Sequence, residues 1–207
     1  MSGPTNAASM AKYRRRAAAY DSTTRFTQPI RLRAIERLAL RPGGRVIDVG
    51  SGTGLSFAAI LAAIGPGGQL VGIEQSPDMM RQARERVARE GWRNVTLLES
   101  SVEDAAIGMR ADALLFFYTH DILRTASAVA RVVAAASPGA RVVAAGVKYY
   151  PWWLAPANAH VWVKNWLYNA RPSGLRRPWD ILERHLSLEV EPTLFGRGYV
   201  AWGSMSR

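Results

Sequence analysis

Val46-Ile47-Asp48-Val49-Gly50-Ser51-Gly52-Thr53-Gly54-Leu55 decides how the chain folds. A β-branched run reaches an acid, three glycines alternate with small polar residues, and an apolar helical pattern follows. That order predicts strand, tight turn, helix. Gly50, Gly52 and Gly54 lack a Cβ, so the backbone there can turn sharply and a ligand can lie directly on it. A helix starting near Gly54 points N–H groups at that ligand and favours a negative group.

The flanks repeat a strand–helix alternation. Upstream, Pro29–Leu40 predicts a helix, with Ile30, Ala34, Ile35 and Leu38 inward and Arg31, Arg33 and Arg37 outward. The strands predicted next are Arg45–Val49, Gln69–Glu74, Val95–Glu99, Ala111–Phe117 and Ala140–Val147. Between them fall helices at Leu55–Ile64 (apolar nearly all round, hence buried), from Ser76-Pro77-Asp78 to Gly91, and at Ala126–Ser137. Such alternation implies a parallel sheet covered on both faces. Trp179–His185 predicts a short helix, and Ser187–Leu194 and Tyr199–Met205 predict two closing strands.

The spacing G-x-G-x-G, with Asp48 two residues before Gly50, resembles motif I of the class I S-adenosylmethionine-dependent methyltransferases. Dinucleotide enzymes use G-x-G-x-x-G instead. The resemblance covers about residues 20–147 by motif and the rest by strand order. It is to the small-molecule group that includes quinone- and phospholipid-methylating enzymes. It implies a Rossmann-like, doubly wound, seven-stranded, mostly parallel sheet ending in an antiparallel hairpin. The cofactor implied is S-adenosylmethionine, with S-adenosylhomocysteine as product. Its carboxylate would meet the loop Gly50, Ser51, Gly52, Thr53 and Gly54, and Asp48 would help hold its ammonium.

Glu74 lies about 20 residues past the glycine loop, where a ribose-binding acid belongs. Gln75 and Met79 follow it and are candidates to flank the adenine, although Met79 equally suits plain core. Ser100-Ser101-Val102-Glu103-Asp104 resembles the family's adenine loop. Ser101 stands where an Asp is expected, so Ser101 or Glu103 takes the amino contact, and Val102 offers its backbone N–H.

Phe117-Tyr118-Thr119-His120-Asp121 follows at the carboxyl end of the fourth strand, where open α/β sheets bind ligands. Phe117 and Tyr118 suit a sulfonium cation, which aromatic faces attract. His120 is the candidate general base, and a capping or core histidine is the alternative. Tyr20-Asp21 resembles a pair with which the family closes its site, making Tyr20 a third candidate. After residue 147 the composition turns aromatic: four of the seven tryptophans, Trp152, Trp153, Trp162 and Trp166, lie there. Tyr149, Trp152, Trp153 and His160 are candidate acceptor-binding residues. No metal site is expected.

The chain is read as one domain: a basic N-terminal segment (1–28), a cofactor core (29–147), an aromatic substrate-side insert (148–186) and closing strands (187–207). Lacking cysteine, it has neither disulfides nor a thiolate nucleophile. The net charge of +11 suggests an acidic partner. The reading that fits best is a cytoplasmic methyltransferase for a small aromatic or amphipathic acceptor. A lipid-methylating enzyme at an anionic membrane surface is the alternative. A non-catalytic cofactor-binding or nucleic-acid-binding subunit is the different-class competitor. Nucleic acid is disfavoured, because no RNA-binding module or Asn/Asp-Pro-Pro-aromatic motif is present. The reading as a nicotinamide oxidoreductase lacks a third glycine at the right spacing and a Tyr-x-x-x-Lys pair.

Overall fold

The computed structural model describes residues 27–150, Asn158 and residues 175–206. In chain order the elements are α1 Gln28–Arg37, β1 Arg45–Val49, α2 Phe57–Ile64, β2 Gln69–Glu74, α3 Pro77–Glu90, β3 Val95–Glu99, β4 Ala111–Phe117, α4 His120–Leu123, α5 Ala126–Ala134, β5 Ala136–Val147, β6 Glu189–Thr193 and β7 Gly198–Ser204. The sheet runs β3-β2-β1-β4-β5-β7-β6. From β3 to β5 every pairing is parallel, and β7 is antiparallel to both β5 and β6. The strand order therefore reverses between β1 and β4, and a crevice opens there at the carboxyl ends of the strands.

Alternation of side chains along each strand builds two cores. Val46, Leu115, Val143, Ala145, Val200 and Trp202 face α1, α2 and α3. Ile47, Val49, Leu114, Phe116, Val142 and Ala144 face α5 and the segment around Trp179 and Leu182. Helix α1 is also tied to the far edge of the sheet. Arg37 and Arg33 pair with Glu191 of β6 at 2.7 and 3.2 Å, and the Arg37 guanidinium lies 3.8 Å over the Trp202 ring. Those arginines hold the Glu191 carboxyl below its ordinary range.

Four details differ from the sequence reading. Arg31, placed outward by its charge, is buried at 4% exposure. Helix α2 starts at Phe57, three residues after the last loop glycine, and exposes Ala58 and Ala62 while burying Phe57, Ile60, Leu61 and Ile64. Helix α5 stops at Ala134, because Ala136 already pairs with Ala111. The pairing resumes at Ala113 with Arg141, so Ser137-Pro138-Gly139 bulges out of one strand and does not separate two elements. Residues 179–185 form turns and a 3₁₀ turn at Leu182–Arg184, not a regular helix.

Candidate cofactor and acceptor site

The glycine loop leaves β1 beside the start of β4's exit segment. A Cβ on Gly50 would lie 2.5 Å from the Thr119 methyl group and 3.0 Å from Ile122 Cδ1. Glycine is thus required at 50 for protein to pack on protein. Gly52 differs: its φ is +58°, and a Cβ there would meet no protein atom within 4 Å, although the residue lines the cavity. Gly54 is set back from the cavity, with the Phe57 ring 2.7 Å from its missing Cβ. The Ser51 N–H donates to Ile73 O at 2.9 Å, which hangs the loop on the end of β2.

Glu74 closes one side. Its Oε2 accepts from the Gly52 N–H at 3.0 Å and its Oε1 from the Ser76 N–H at 2.7 Å. Burial raises its pKa against the pull of those N–H groups. Beyond it, Ser76 caps α3, accepting from the Met79 N–H. Met79 is both core and cavity wall, and Gln75 lines the cavity beside it.

Behind the loop sits Asp48, 1% exposed. Its Oδ2 has no hydrogen-bond partner among the described residues. Desolvation pushes its pKa up to about 7, opposed by the Arg31 guanidinium and by a bond from Ser56, and reinforced by Glu74. A buried acceptor left without a donor is costly. It fits an ammonium, and the open face of Gly52 and the Glu74 carboxylate beside it fit the remainder of a nucleoside cofactor.

The other wall comes from β4 and α4. Tyr118 has a left-handed φ of +58°, which turns the chain out of the sheet, and its N–H donates to Ala145 O at 2.8 Å. Strain of this kind, of order 1–3 kcal/mol, collects at ligand sites. Phe117, Tyr118, Thr119 and His120 all line the cavity, and His120 is 7% exposed at the start of α4. One face of Phe117 is covered by the Arg31 guanidinium, 4.6 Å from the ring centroid.

The structure therefore brings Gly50, Gly52, Glu74, Gln75, Met79, Val102, Phe117, Tyr118 and His120 around one cavity. Ser51, Thr53 and Gly54 shape the loop from behind; the Thr53 carbonyl accepts from Arg86 Nε at 2.9 Å. The Ser101 hydroxyl is turned to Asp104 at 2.7 Å, and Ser100, Val102 and Glu103 are the cavity-lining residues of that loop. Tyr149 is half-buried, its N–H donating to Leu175 O at 2.9 Å. Tyr20, Trp152, Trp153 and His160 lie outside the described residues. Among the described residues no cluster of His, Asp and Glu could hold a metal ion, and no helix is long and apolar enough to cross a membrane.

Known proteins share this fold. A methyltransferase from Aquifex aeolicus described as S-adenosylmethionine-dependent has the same fold, with a TM-score of 0.64 at 18% identity over 84% of this chain and 88% of that one. A protein-L-isoaspartate O-methyltransferase from Ignicoccus hospitalis is 39% identical over 64 residues, 31% of this chain and 30% of that protein. A ubiquinone/menaquinone biosynthesis C-methyltransferase from Syntrophotalea carbinolica is 30% identical over 115 residues, 55% of this chain and 48% of that one. The chain thus matches less than a third of the length of the isoaspartate methyltransferases and about half of the quinone enzyme. The model of one family, described as protein-L-isoaspartate(D-aspartate) O-methyltransferase, matches residues 10–114. Since that match takes in β1 to β3, the glycine loop, Glu74 and the first half of β4, and spans just over half of the 207 residues, the chain belongs to this family of S-adenosylmethionine-dependent methyltransferases.

Proposed function

We propose that the protein transfers a methyl group from S-adenosylmethionine to a small aromatic or amphipathic acceptor. One observation carries the reading: the cofactor loop and the aromatic turn Phe117-Tyr118 share a single cavity, with buried His120 in its wall. The bound cofactor supplies an electrophilic methyl group on a sulfonium. The chain's own residues then bind, orient and exclude water. The Asp48 Oδ2 would accept from the ammonium and Glu74 from the ribose hydroxyls, while Val102 and Glu103 border the adenine side. Aligning two reactants in a dry pocket supplies most of such a rate enhancement. An amine acceptor needs little more. A hydroxyl or carbon acid must lose a proton, and His120 is the cavity residue suited to take it.

A second reading, methylation of lipid head groups at an anionic membrane surface, draws on Phe195. This residue is fully exposed on the β6–β7 hairpin tip, beside Arg197, at the same edge of the sheet as the cavity. Leu194 and Phe195 both take left-handed φ there, +49° and +55°.

Methyl-labelled S-adenosylmethionine incubated with the protein and a whole-cell extract, then fractionated, separates these readings. Label in extractable small metabolites is the expected result. Label in the lipid fraction supports the second reading. Label confined to protein or an isoaspartyl peptide overturns both and assigns the substrate that the relatives' names carry.

A further inference from the structure

Thr119 follows the left-handed turn at Tyr118 and is the N-cap residue of α4. A threonine in that place ordinarily spends its hydroxyl on an N–H of the helix it begins. This one makes no capping bond. Its Oγ1 is shielded from solvent and has no hydrogen-bond partner among the described residues, although the residue lines the cavity. A buried hydroxyl left unpaired is costly, and a valine would fill the same volume without that cost. The hydroxyl therefore has its use when something enters the cavity.

The Thr119 methyl group fixes where that hydroxyl sits. It lies 2.5 Å from the point a Gly50 Cβ would occupy, so it is seated in the space that the glycine leaves. In the sheet, β1 lies between β2 and β4. Glu74, at the end of β2, thus flanks the glycine loop on one side, and Thr119, past the end of β4, flanks it on the other. Asp48 stands two residues before Gly50 and carries a second orphaned oxygen, Oδ2. Two unpaired side-chain oxygens, one anionic and one neutral, therefore belong to the residues around Gly50. An α-ammonium has three N–H donors to place, and Asp48 takes one of them. A hydroxyl oxygen accepts from such a donor, and bonds from an ionised donor are the stronger kind.

We propose that Thr119 Oγ1 is the second oxygen to receive the cofactor's ammonium, beside Asp48, so that the β4–α4 turn holds the amino-acid end of the ligand. The inference rests on the S-adenosylmethionine reading above.

Calorimetric binding tests it with two probes: S-adenosylhomocysteine, and its deaminated analogue, which keeps the carboxylate. Thr119→Val keeps the methyl group against Gly50 and removes the hydroxyl. It should bind S-adenosylhomocysteine about tenfold more weakly than wild type and change less than twofold for the deaminated probe. Thr119→Ser should restore most of the loss. Without ligand, Thr119→Val should melt no lower than wild type, since it sheds an unsatisfied oxygen; a lower Tm would mark the hydroxyl as a structural group and overturn the proposal. Equal losses for both probes, or no loss for either, also overturn it and leave the cofactor reading intact. A structure with S-adenosylhomocysteine bound gives a direct check. Oγ1 within hydrogen-bond distance of the ligand's amino nitrogen is the expected result, and an Oγ1 that stays unpaired or bonds the carboxylate overturns the assignment. Failure of the wild-type protein to bind S-adenosylhomocysteine overturns the cofactor reading and this inference together.

Discussion

Asp48 is the residue at which burial costs stability. An unfolded Asp titrates near 3.8, and burial holds this one up to about 7. A raised pKa means the folded state binds the proton more tightly. The sign follows: Asp48 opposes folding least below pH 4, its contribution is lost progressively as pH rises from about 4 to 7, and the full cost remains above. A shift of this size corresponds to roughly 4 kcal/mol, an upper figure since Asn must also find partners. We expect Asp48→Asn to be more stable than wild type by ~2 kcal/mol or more at pH 8 and near parity at pH 4. Urea titrations at the two pH values, without ligand, check this. The same variant should lose S-adenosylhomocysteine binding by tenfold or more. A second prediction concerns His120. If the acceptor is a hydroxyl, His120→Gln should lower kcat by about 10²–10⁴-fold with little change in cofactor affinity, because general-base help acts in the transition state. Equal kcat for the variant and wild type would assign His120 to packing. Arg31 was the residue the sequence concealed. Its position is compatible with the buried face, since 31, 34, 35 and 38 follow the i, i+3, i+4, i+7 pattern, but the sequence reading sets it outward with Arg33 and Arg37. Its charge argued for solvent, as it does for most arginines.

At the scale of elements, the loop between β1 and α2 makes two contrasting demands on glycine. At Gly50 a methyl group would run into Thr119 and Ile122, on a backbone already at φ +68°. Overpacking and left-handed strain together should make Gly50→Ala cost about 3 kcal/mol. At Gly52 only the strain applies, about 1 kcal/mol, because the new methyl group points into open cavity. Gly52→Ala should therefore fold nearly as well as wild type and still bind S-adenosylhomocysteine at least tenfold more weakly. Denaturation curves and calorimetry on the two variants distinguish the roles. A Gly52→Ala protein that binds normally would remove the loop from the ligand's path. Strands β1 to β4 were legible to the residue, because each is a short apolar run rich in β-branched, leucine or aromatic residues, and β1 to β3 end at Gly or an acid. The start of β5 was not. Ser137-Pro138-Gly139 carries the chemistry of a turn, and only the pairing of Ala136 with Ala111 across the sheet reveals a bulge. Helix α4 escaped for another reason: four residues are too few for a periodic pattern to show.

Across the whole molecule, ligand binding, protonation and stability are one linked equilibrium. The sheet order puts Asp48 at the reversal point, with Arg31 of α1 and Ser56 of the loop before α2 beside it. Water is thereby excluded from a carboxyl that, in the proposed assignment, an arriving cation must ionise. In the proposed cofactor assignment, the ammonium lowers the pKa of Asp48, and the carboxyl surrenders any proton it carries. At pH 6 a group with a pKa of about 7 is some nine-tenths protonated, so binding of S-adenosylhomocysteine should release on the order of 0.9 proton; at pH 8 it should release roughly 0.1. Affinity should fall accordingly, approaching tenfold per pH unit below 7. Glu74 is raised in the same direction but faces neutral hydroxyls in this assignment, so it adds little to the release. Calorimetry at pH 6 in buffers of differing ionisation enthalpy reads the proton directly. Heat that varies between buffers at pH 6 and converges at pH 8 is the expected pattern, and it should vanish at pH 6 in Asp48→Asn. Buffer-independent heat at pH 6 for the wild-type protein would mean that the cation binds away from Asp48, and that the orphaned Oδ2 serves something other than the cofactor's amino group.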